Sequence, residues 1–109
     1  MKYMMIVCFD PASKEPEAGE VPDINDWVRE MDGRGVRLEG HPLSPDEATT
    51  VRVRNGEVLV SDGPFAETKE LMVGYDMLEC ANLDEAIEVA SKHPLAWRGA
   101  MELRPFGAD

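Results

Sequence analysis

The run Tyr3-Met4-Met5-Ile6-Val7-Cys8-Phe9 is apolar at every position. Successive side chains of a β-strand point to opposite faces of its sheet, so a strand without polar positions needs cover on both faces. The run therefore predicts a first strand that is buried on both sides. Any fold built around it must place protein above and below the sheet.

The segment Pro22–Met31 has the spacing of an amphipathic helix. Apolar residues recur at the interval that places them on one helical face, namely at Ile24, Trp27, Val28 and Met31. Asp23 or Asp26 suits the positive N-terminal end of this helix, and Gly33 and Gly35 suit its end.

A second helix is predicted to begin at Asn82, with Glu85 placed as in a capping box. Its apolar positions are Leu83, Ala86, Ile87 and Ala90. Pro94 ends the helix, and we interpret His93 as a cap on its negative C-terminal end.

The remaining regular segments read as strands: Val36–Leu43, Thr49–Arg54, Glu57–Val60, Leu71–Cys80 and Ala100–Arg104. Asn55-Gly56 predicts a two-residue hairpin turn. The order of elements predicts one α+β domain over residues 1–109, with a ferredoxin-like βαββαβ fold and an inserted β-hairpin.

Such a fold places both helices on one face of the sheet. The first strand requires cover on the other face as well, and the sequence offers no further helix for it. A second copy that stacks its own sheet on this face would supply the cover. The sequence therefore predicts a homodimer.

The composition narrows the choice of partners. With 22 acidic and 11 basic residues the chain carries a net charge of −11, which repels phosphate backbones and anionic membranes, so neither nucleic acid nor membrane is expected as a partner. No apolar stretch approaches the roughly 18 residues of a membrane span.

The N-terminal apolar run is short and ends at Asp10 without a small-residue cleavage site, so we expect a cytoplasmic protein. Cys8 and Cys80 lie in apolar runs and are interpreted as small buried hydrophobic residues.

The segment Asp62-Gly63-Pro64-Phe65-Ala66-Glu67-Thr68-Lys69-Glu70 concentrates reactive groups in a turn-forming run. It resembles the signature of the DGPF-domain proteins within the YCII-related family. The flanks agree over nearly the whole chain, at Met1-Lys2-Tyr3-Met4, Thr49-Thr50-Val51-Arg52, Gly74-Tyr75, Leu83-Asp84-Glu85-Ala86 and Glu102-Leu103-Arg104-Pro105.

The resemblance implies a ferredoxin-like domain assembled as a dimeric α/β barrel. Some YCII relatives are suspected enzymes in which a His and an Asp meet in a cleft, and one branch acts in aromatic-ring dechlorination or lactone processing. Some DGPF proteins are associated with extracytoplasmic-function sigma factors. This chain departs from the pattern in two places: Pro22–Met31 contains no histidine, which leaves His41 as the nearby candidate, and Asp76 stands after Gly74-Tyr75 where an aromatic or aliphatic residue is usual.

Three residues are candidates for catalysis: Asp62, His41 and Asp76. Asp62 could act as a general base, although an Asp before Gly also serves as a turn residue. His41 is the type of side chain that titrates near neutral pH, although a solvent-facing loop histidine would look the same in the sequence. Asp76 is a charge in the middle of a strand, which belongs either to a site inside the barrel or to an open, solvated edge.

Four residues are candidates for ligand binding: Phe65, Thr68, Lys69 and Tyr75. Lys69 could hold an anionic group by its charge and Thr68 by a hydrogen bond, unless the glutamates on either side of Lys69 simply neutralise it. No metal site and no cofactor are predicted, since the two histidines lack the spacing of a ligand pair.

Three functional hypotheses follow. The first is a small-molecule-binding or regulatory homodimer that serves a sigma-factor pathway, and it rests on the missing helical histidine. The second is a small cofactor-free enzyme that uses Asp/His acid–base chemistry in the barrel cleft. A third, a purely structural interaction module, would have a closed barrel without a cavity.

Overall fold

The computed structural model describes residues 1–17, 19–64 and 70–107. In this part of the chain six strands and two helices follow one another, with a short 3-10 helix before the last strand. Their bounds are β1 Lys2–Phe9, α1 Ile24–Gly33, β2 Arg37–Pro42, β3 Thr49–Arg54, β4 Glu57–Asp62, β5 Leu71–Glu79, α2 Leu83–Ser91, the 3-10 helix Pro94–Trp97 and β6 Gly99–Pro105.

Four strands form one antiparallel sheet in the order β2-β5-β1-β6, and β3 and β4 form a separate two-stranded sheet. β1 therefore lies between β5 and β6 inside the larger sheet. Both helices pack on the same face of this sheet, because their buried residues share one core cluster with β1. The architecture is α+β and compatible with the predicted ferredoxin-like fold.

The hydrophobic core lies between the helices and the sheet. Most of its members come from β1, α1, β5 and α2, and Val36 and Cys80 join it from the adjoining connections. The largest fully buried side chains are Met5, Met31, Leu78 and Val89. Burying a side chain of this size contributes about 1.5–3 kcal/mol. Trp27 is also buried, and its Nε1–H donates a 3.0 Å hydrogen bond to the carbonyl oxygen of Val89, which joins the two helices across the core.

The opposite face of the sheet is only partly covered. Met4, Ile6 and Cys8 of β1 alternate with the buried core residues and are half-buried. Met77 and Tyr75 of β5 pair with Met4 and Ile6, and they are half-buried too. We call these five residues the open sheet face. Within one chain, β1 is thus fully covered on one side only.

The β3–β4 hairpin has the predicted two-residue turn. Asn55 and Gly56 have φ values of 52° and 77°, the left-handed conformation that a tight hairpin turn requires. One face of the hairpin carries four exposed valines, which we call the valine face: Val51, Val53, Val58 and Val60. The radius of gyration is 16.0 Å, compared with about 13 Å for a compact domain of this length, which is consistent with a hairpin that extends away from the core.

The register of β5 corrects one expectation about Asp76. Alternation predicts that Asp76 shares a face with Gly74, Leu78 and Met72. Gly74, Asp76 and Leu78 do pair with the core-facing residues of β1, but a β-bulge between Val7 and Cys8 places Met72 opposite Cys8 instead. Met72 is consequently half exposed, since the extra residue of a bulge shifts the alternation.

Side-chain caps explain where the helices begin. The Asp23 carboxylate accepts a 2.7 Å hydrogen bond from the backbone N–H of Asn25, so Asp23 rather than Asp26 caps α1. The Asn82 side chain accepts a 2.9 Å bond from the N–H of Glu85, as predicted. The Glu85 carboxylate reaches the N–H of Ala81 rather than that of Asn82, so the reciprocal bond of the capping box is displaced by one residue.

Candidate functional site

A cavity of about 290 Å³ lies on the helix side of the sheet, at the end near the edge strand β2. Its walls are mainly aliphatic and aromatic side chains from β1, α1, β5 and the 3-10 helix: Val7, Ile24, Trp27, Val28, Val73 and Leu95. Ionisable side chains lie at four positions of this lining: Arg37, His41, Asp76 and His93. An apolar pocket with a few polar groups is the usual form of a small-molecule site.

Arg37 and Asp76 form a buried ion pair at the cavity wall. The Nε–H of Arg37 donates a 2.8 Å hydrogen bond to Asp76 Oδ1, and the two side chains are only 17% and 9% exposed. The other guanidinium nitrogens of Arg37 donate to Asp32 at 3.1 Å and to the carbonyl oxygen of Gly40 at 3.3 Å. All three nitrogens of Arg37 are therefore already engaged by the protein.

Gly40 makes room for this pair. It stands opposite Asp76 on the neighbouring strand, and a Cβ atom at position 40 would collide with Asp76 Oδ1 and lie 2.8 Å from a terminal nitrogen of Arg37. A side chain at this position would thus have to displace the carboxylate from the guanidinium. The glycine is a packing requirement of the ion pair.

The environment of Asp76 opposes the charged form of its carboxyl more strongly than water does. Burial raises the pKa of the Asp76 carboxyl, and the hydrogen bond and charge of Arg37 oppose this only in part. Among the described residues, nothing donates a hydrogen bond to Asp76 Oδ2. In that same part of the chain, Arg98 Nε is the one side-chain polar atom that is both fully buried and without a hydrogen-bond partner. Asp76 Oδ2 has no partner there either, so it must keep some accessible surface.

His93 is buried against the cavity and does not cap α2, which corrects the interpretation from the sequence. It is the N-cap of the 3-10 helix, and its Nδ1 accepts a 3.1 Å hydrogen bond from the N–H of Leu95. Its ring meets that of Trp27 edge-on, with centroids 4.8 Å apart. Burial lowers the pKa of His93 to about 4, so the imidazole is neutral at pH 7. From the sequence, Pro94 indicates the end of α2. Proline is also favoured at the first position of a helix, and this preference is the signal that indicates a cap at residue 93.

The other two catalytic candidates lie elsewhere. His41 lines the cavity from β2, but its side chain is 61% exposed, with Nε2 3.3 Å from Glu39 and the ring 5.7 Å from that of Tyr75. Asp62 ends β4 in the hairpin sheet, where it is exposed and pairs with Thr49. Within the described residues no hydrogen bond or ion pair joins Asp62, His41 and Asp76 to one another.

Of the four ligand-binding candidates, the structure describes one. Tyr75 is half-buried and adjoins the cavity, but its side chain belongs to the open sheet face, where its ring contacts that of His41. Phe65, Thr68 and Lys69 lie outside the described residues. Their predicted role in ligand binding stays a prediction.

The thiols and the metal-ligand types form no reactive centre in the described ranges. Cys8 and Cys80 are unpaired, and burial raises the pKa of both thiols, which keeps them protonated. Over residues 1–17, 19–64 and 70–107 no three His, Cys, Asp or Glu residues come together as a group that could hold a metal ion. None of the helices in these ranges combines the length and apolar character needed to cross a bilayer.

Two comparisons place the chain among known sequences. The model of the YCII-related domain family matches residues 1–106. A protein from Rhizobium meliloti (strain 1021), described only as uncharacterized, is 45% identical over 100 aligned positions, which cover 73% of this chain and 79% of the relative.

Proposed function

The chain belongs to the YCII-related family, and from this premise we propose that it is a homodimer that binds a small molecule between α1 and the four-stranded sheet. The family predicted from the sequence is thereby confirmed, whereas the narrower DGPF assignment stays a prediction. One observation carries the proposal: an apolar cavity of about 290 Å³ that is bordered by a buried ion pair and a buried neutral histidine.

The size and lining of the cavity support a ligand with a ring or a short branched chain. Engineered cavities of about 150 Å³ already hold benzene, so a volume of about 290 Å³ accommodates a substituted ring. Removing such a ligand from water is favourable by roughly 25 cal/mol per Å² of apolar surface. The polar groups at the wall would then select among apolar ligands.

Binding can be followed at Trp27, which lines the cavity, with Trp97 as an internal reference because it lies outside the lining and is 44% exposed. A fragment library titrated into ¹⁵N-labelled protein should shift the Trp27 indole resonance and leave that of Trp97 unchanged. Val28→Phe fills the cavity and should abolish the shift. The matched control Ile87→Phe adds a ring to an exposed position of α2 and should bind as the wild type does. Loss of binding in both variants, or in neither, would contradict the proposal.

The homodimer is supported by two apolar surfaces that one chain leaves uncovered. These are the open sheet face and the valine face, and the hairpin that carries the second is only two strands wide. An isolated two-stranded hairpin is marginally stable in water, so cover from a second copy would stabilise it. A stable interface buries about 800 Å² on each partner, which a stacked sheet can provide. The dimeric α/β barrel implied by the family resemblance has this arrangement.

Sedimentation velocity at micromolar concentration tests the dimer. The wild type should sediment as a dimer, and a charge placed in either surface, by Ile6→Glu or Val58→Glu, should shift it toward monomer. Leu83→Glu introduces the same charge on the exposed surface of α2 and should leave the dimer intact. A monomeric wild type would refute this part of the proposal.

The regulatory part of the proposal, a role in the pathway of an extracytoplasmic-function sigma factor, rests on the sequence resemblance. We propose a cytoplasmic location, because the reducing conditions there keep thiols such as Cys8 and Cys80 unpaired. Deletion of the gene should then change transcription from promoters that depend on an extracytoplasmic-function sigma factor. An unchanged transcript profile with and without the candidate ligand would contradict this role.

The alternative, a cofactor-free acid–base enzyme, has one observation in its favour. The raised pKa of Asp76 brings its carboxyl closer to the range in which general acids and bases work. Because neither Asp62 nor His41 is bonded to Asp76 in the described residues, there is no preformed Asp–His pair, and Asp76 would have to act on the ligand directly. Turnover of the bound ligand that is lost in Asp76→Asn would favour this alternative, and recovery of the ligand chemically unchanged would exclude it.

A further inference from the structure

We infer that the cavity takes a neutral, largely apolar small molecule that donates a hydrogen bond to Asp76 Oδ2 and accepts one from His93 Nε2. The inference rests on the proposed function and specifies the ligand class of that site. Two buried side chains carry it, since Asp76 is 7% exposed and His93 is 4% exposed, and both line the cavity.

Asp76 supplies the acceptor. Its Oδ1 is occupied by Arg37, while Oδ2 has no donor among the described residues and is not sealed off. Because Oδ2 has no donor in this part of the chain and keeps some accessible surface, a ligand hydroxyl or amide N–H can reach it and donate a hydrogen bond to it, which strengthens binding roughly 3- to 10-fold, or about 0.5–1.5 kcal/mol. The cavity is the space from which such a donor can approach.

His93 supplies the donor. Its Nδ1 accepts the N–H of Leu95, so in the neutral ring the proton lies on Nε2. The residues that the structure describes provide no hydrogen-bond acceptor for Nε2. Like Asp76 Oδ2, this nitrogen is not fully buried and keeps some accessible surface. A carbonyl, ether or hydroxyl oxygen of the ligand would meet this N–H. The burial that keeps His93 neutral also means that it offers no positive charge.

The charges at the wall disfavour an ionic ligand. Each of the three nitrogens of Arg37 already donates to Asp32, Asp76 or the carbonyl oxygen of Gly40, so only the second N–H of the two terminal nitrogens remains for a ligand carboxylate. Two carboxylates against one guanidinium give the cluster a net negative charge, which repels an anion. A cation would be attracted by this charge, but we expect the loss of its hydration against an apolar wall to outweigh the attraction.

Seven probes built on a single aromatic ring test the ligand class by titration of the Trp27 indole resonance. 4-Hydroxyacetophenone and benzamide carry a donor and an acceptor, phenol and acetophenone carry principally one of the two functions, and ethylbenzene carries neither. Benzoate and benzylamine add a negative and a positive charge. We expect one of the two bifunctional probes to bind roughly 3- to 10-fold more tightly than the single-function probes, as the loss of one hydrogen bond predicts.

The outcomes separate the inference from the proposed function. If ethylbenzene, benzoate or benzylamine binds as tightly as the bifunctional probes, the ligand class is wrong and the binding cavity stands. If no probe shifts Trp27, both are wrong. The ranking in the wild-type protein decides this without any variant.

Two variants assign the partners. Asp76→Asn can keep an oxygen toward Arg37 and turns the second position into an N–H donor, so phenol should lose affinity while acetophenone does not. His93→Leu removes the N–H, so acetophenone should lose affinity while phenol does not. An equal loss for both probes in a folded variant, judged by the dispersion of its amide spectrum, would overturn the assignment.

Discussion

The buried imidazole of His93 should make the stability of the protein depend on pH between pH 7 and pH 5. His93 is 4% exposed, and burial lowers its pKa from 6.5 to about 4. The folded state therefore binds the proton less tightly than the unfolded state does. Stability from this group is fully present above the unfolded pKa and is lost as the pH falls toward the folded one.

The magnitude follows from the size of the shift. Fully expressed, it corresponds to about 3 kcal/mol of unfolding free energy, and roughly 2 kcal/mol of this is lost between pH 7 and pH 5. The carboxylates of the chain are common to the wild type and to a histidine variant. Their contribution therefore cancels when the two pH dependences are subtracted.

The test is urea unfolding of the wild type and His93→Asn at both pH values. Asparagine is a good N-cap, so the 3-10 helix keeps a cap while the titrating group is removed. The variant is expected to be less stable at pH 7, since it leaves space beside Trp27, but to lose about 2 kcal/mol less than the wild type on going to pH 5. His41→Asn removes the other histidine from a mainly exposed position and should behave as the wild type does. Equal losses in the wild type and His93→Asn would refute the reasoning.

Three further perturbations have expected outcomes. Gly99→Ala should lower the unfolding free energy by about 1–3 kcal/mol, because its Cβ would collide with the backbone oxygen of Cys8 and lie 2.9 Å from Phe9 Cα; an unchanged urea midpoint would contradict the close approach of β6 to β1. Gly40→Ala should also lower the unfolding free energy by about 1–3 kcal/mol in urea titration, because the new Cβ displaces the Asp76 carboxylate. For the same reason it should weaken fragment binding measured at Trp27, and retention of wild-type fragment affinity would argue against a role for Asp76. Glu88→Gln should lower the unfolding free energy at pH 7 by no more than about 1 kcal/mol, because the ion pair of Glu88 with Arg34 is exposed. This difference in unfolding free energy should vanish as the pH falls from 4.5 toward the lowered pKa of Glu88, about 2. Thermal unfolding at several pH values measures it, and a difference that persists in acid would contradict the prediction.

Elements with a local cause were predicted well. Asn55-Gly56 is a hairpin turn because both residues tolerate positive φ, and Asn82 begins α2 because its side chain reaches an N–H only three residues away. In both cases the interaction that decides the structure lies within a few positions of the chain. The first strand was predicted as a strand from its apolar residues alone, whereas its central place in the sheet comes from its pairing with β5 and β6.

The candidate site was predicted in part. Asp76 was singled out because a charge is unusual in the middle of a strand, but its partner Arg37 was not found, since 39 positions separate the two residues. His93 was assigned to the wrong helix because its neighbour Pro94 can end one helix or begin another. Asp62 and His41 carry suitable chemistry, yet no bond in the described residues connects them to Asp76.

The sequence by itself determined the family, the order of strands and helices along the chain, the hairpin turn and the N-cap of α2, because these depend on residue type, short-range spacing and motif. The tertiary structure alone decided which side chains meet. Pairing of β2 with β5 sets Gly40 against Asp76 and lets Arg37 reach the carboxylate, while the 3-10 helix brings His93 against Trp27. Strand order, register and a single bulge control these distances, and they arise from packing over the whole domain rather than from any one segment.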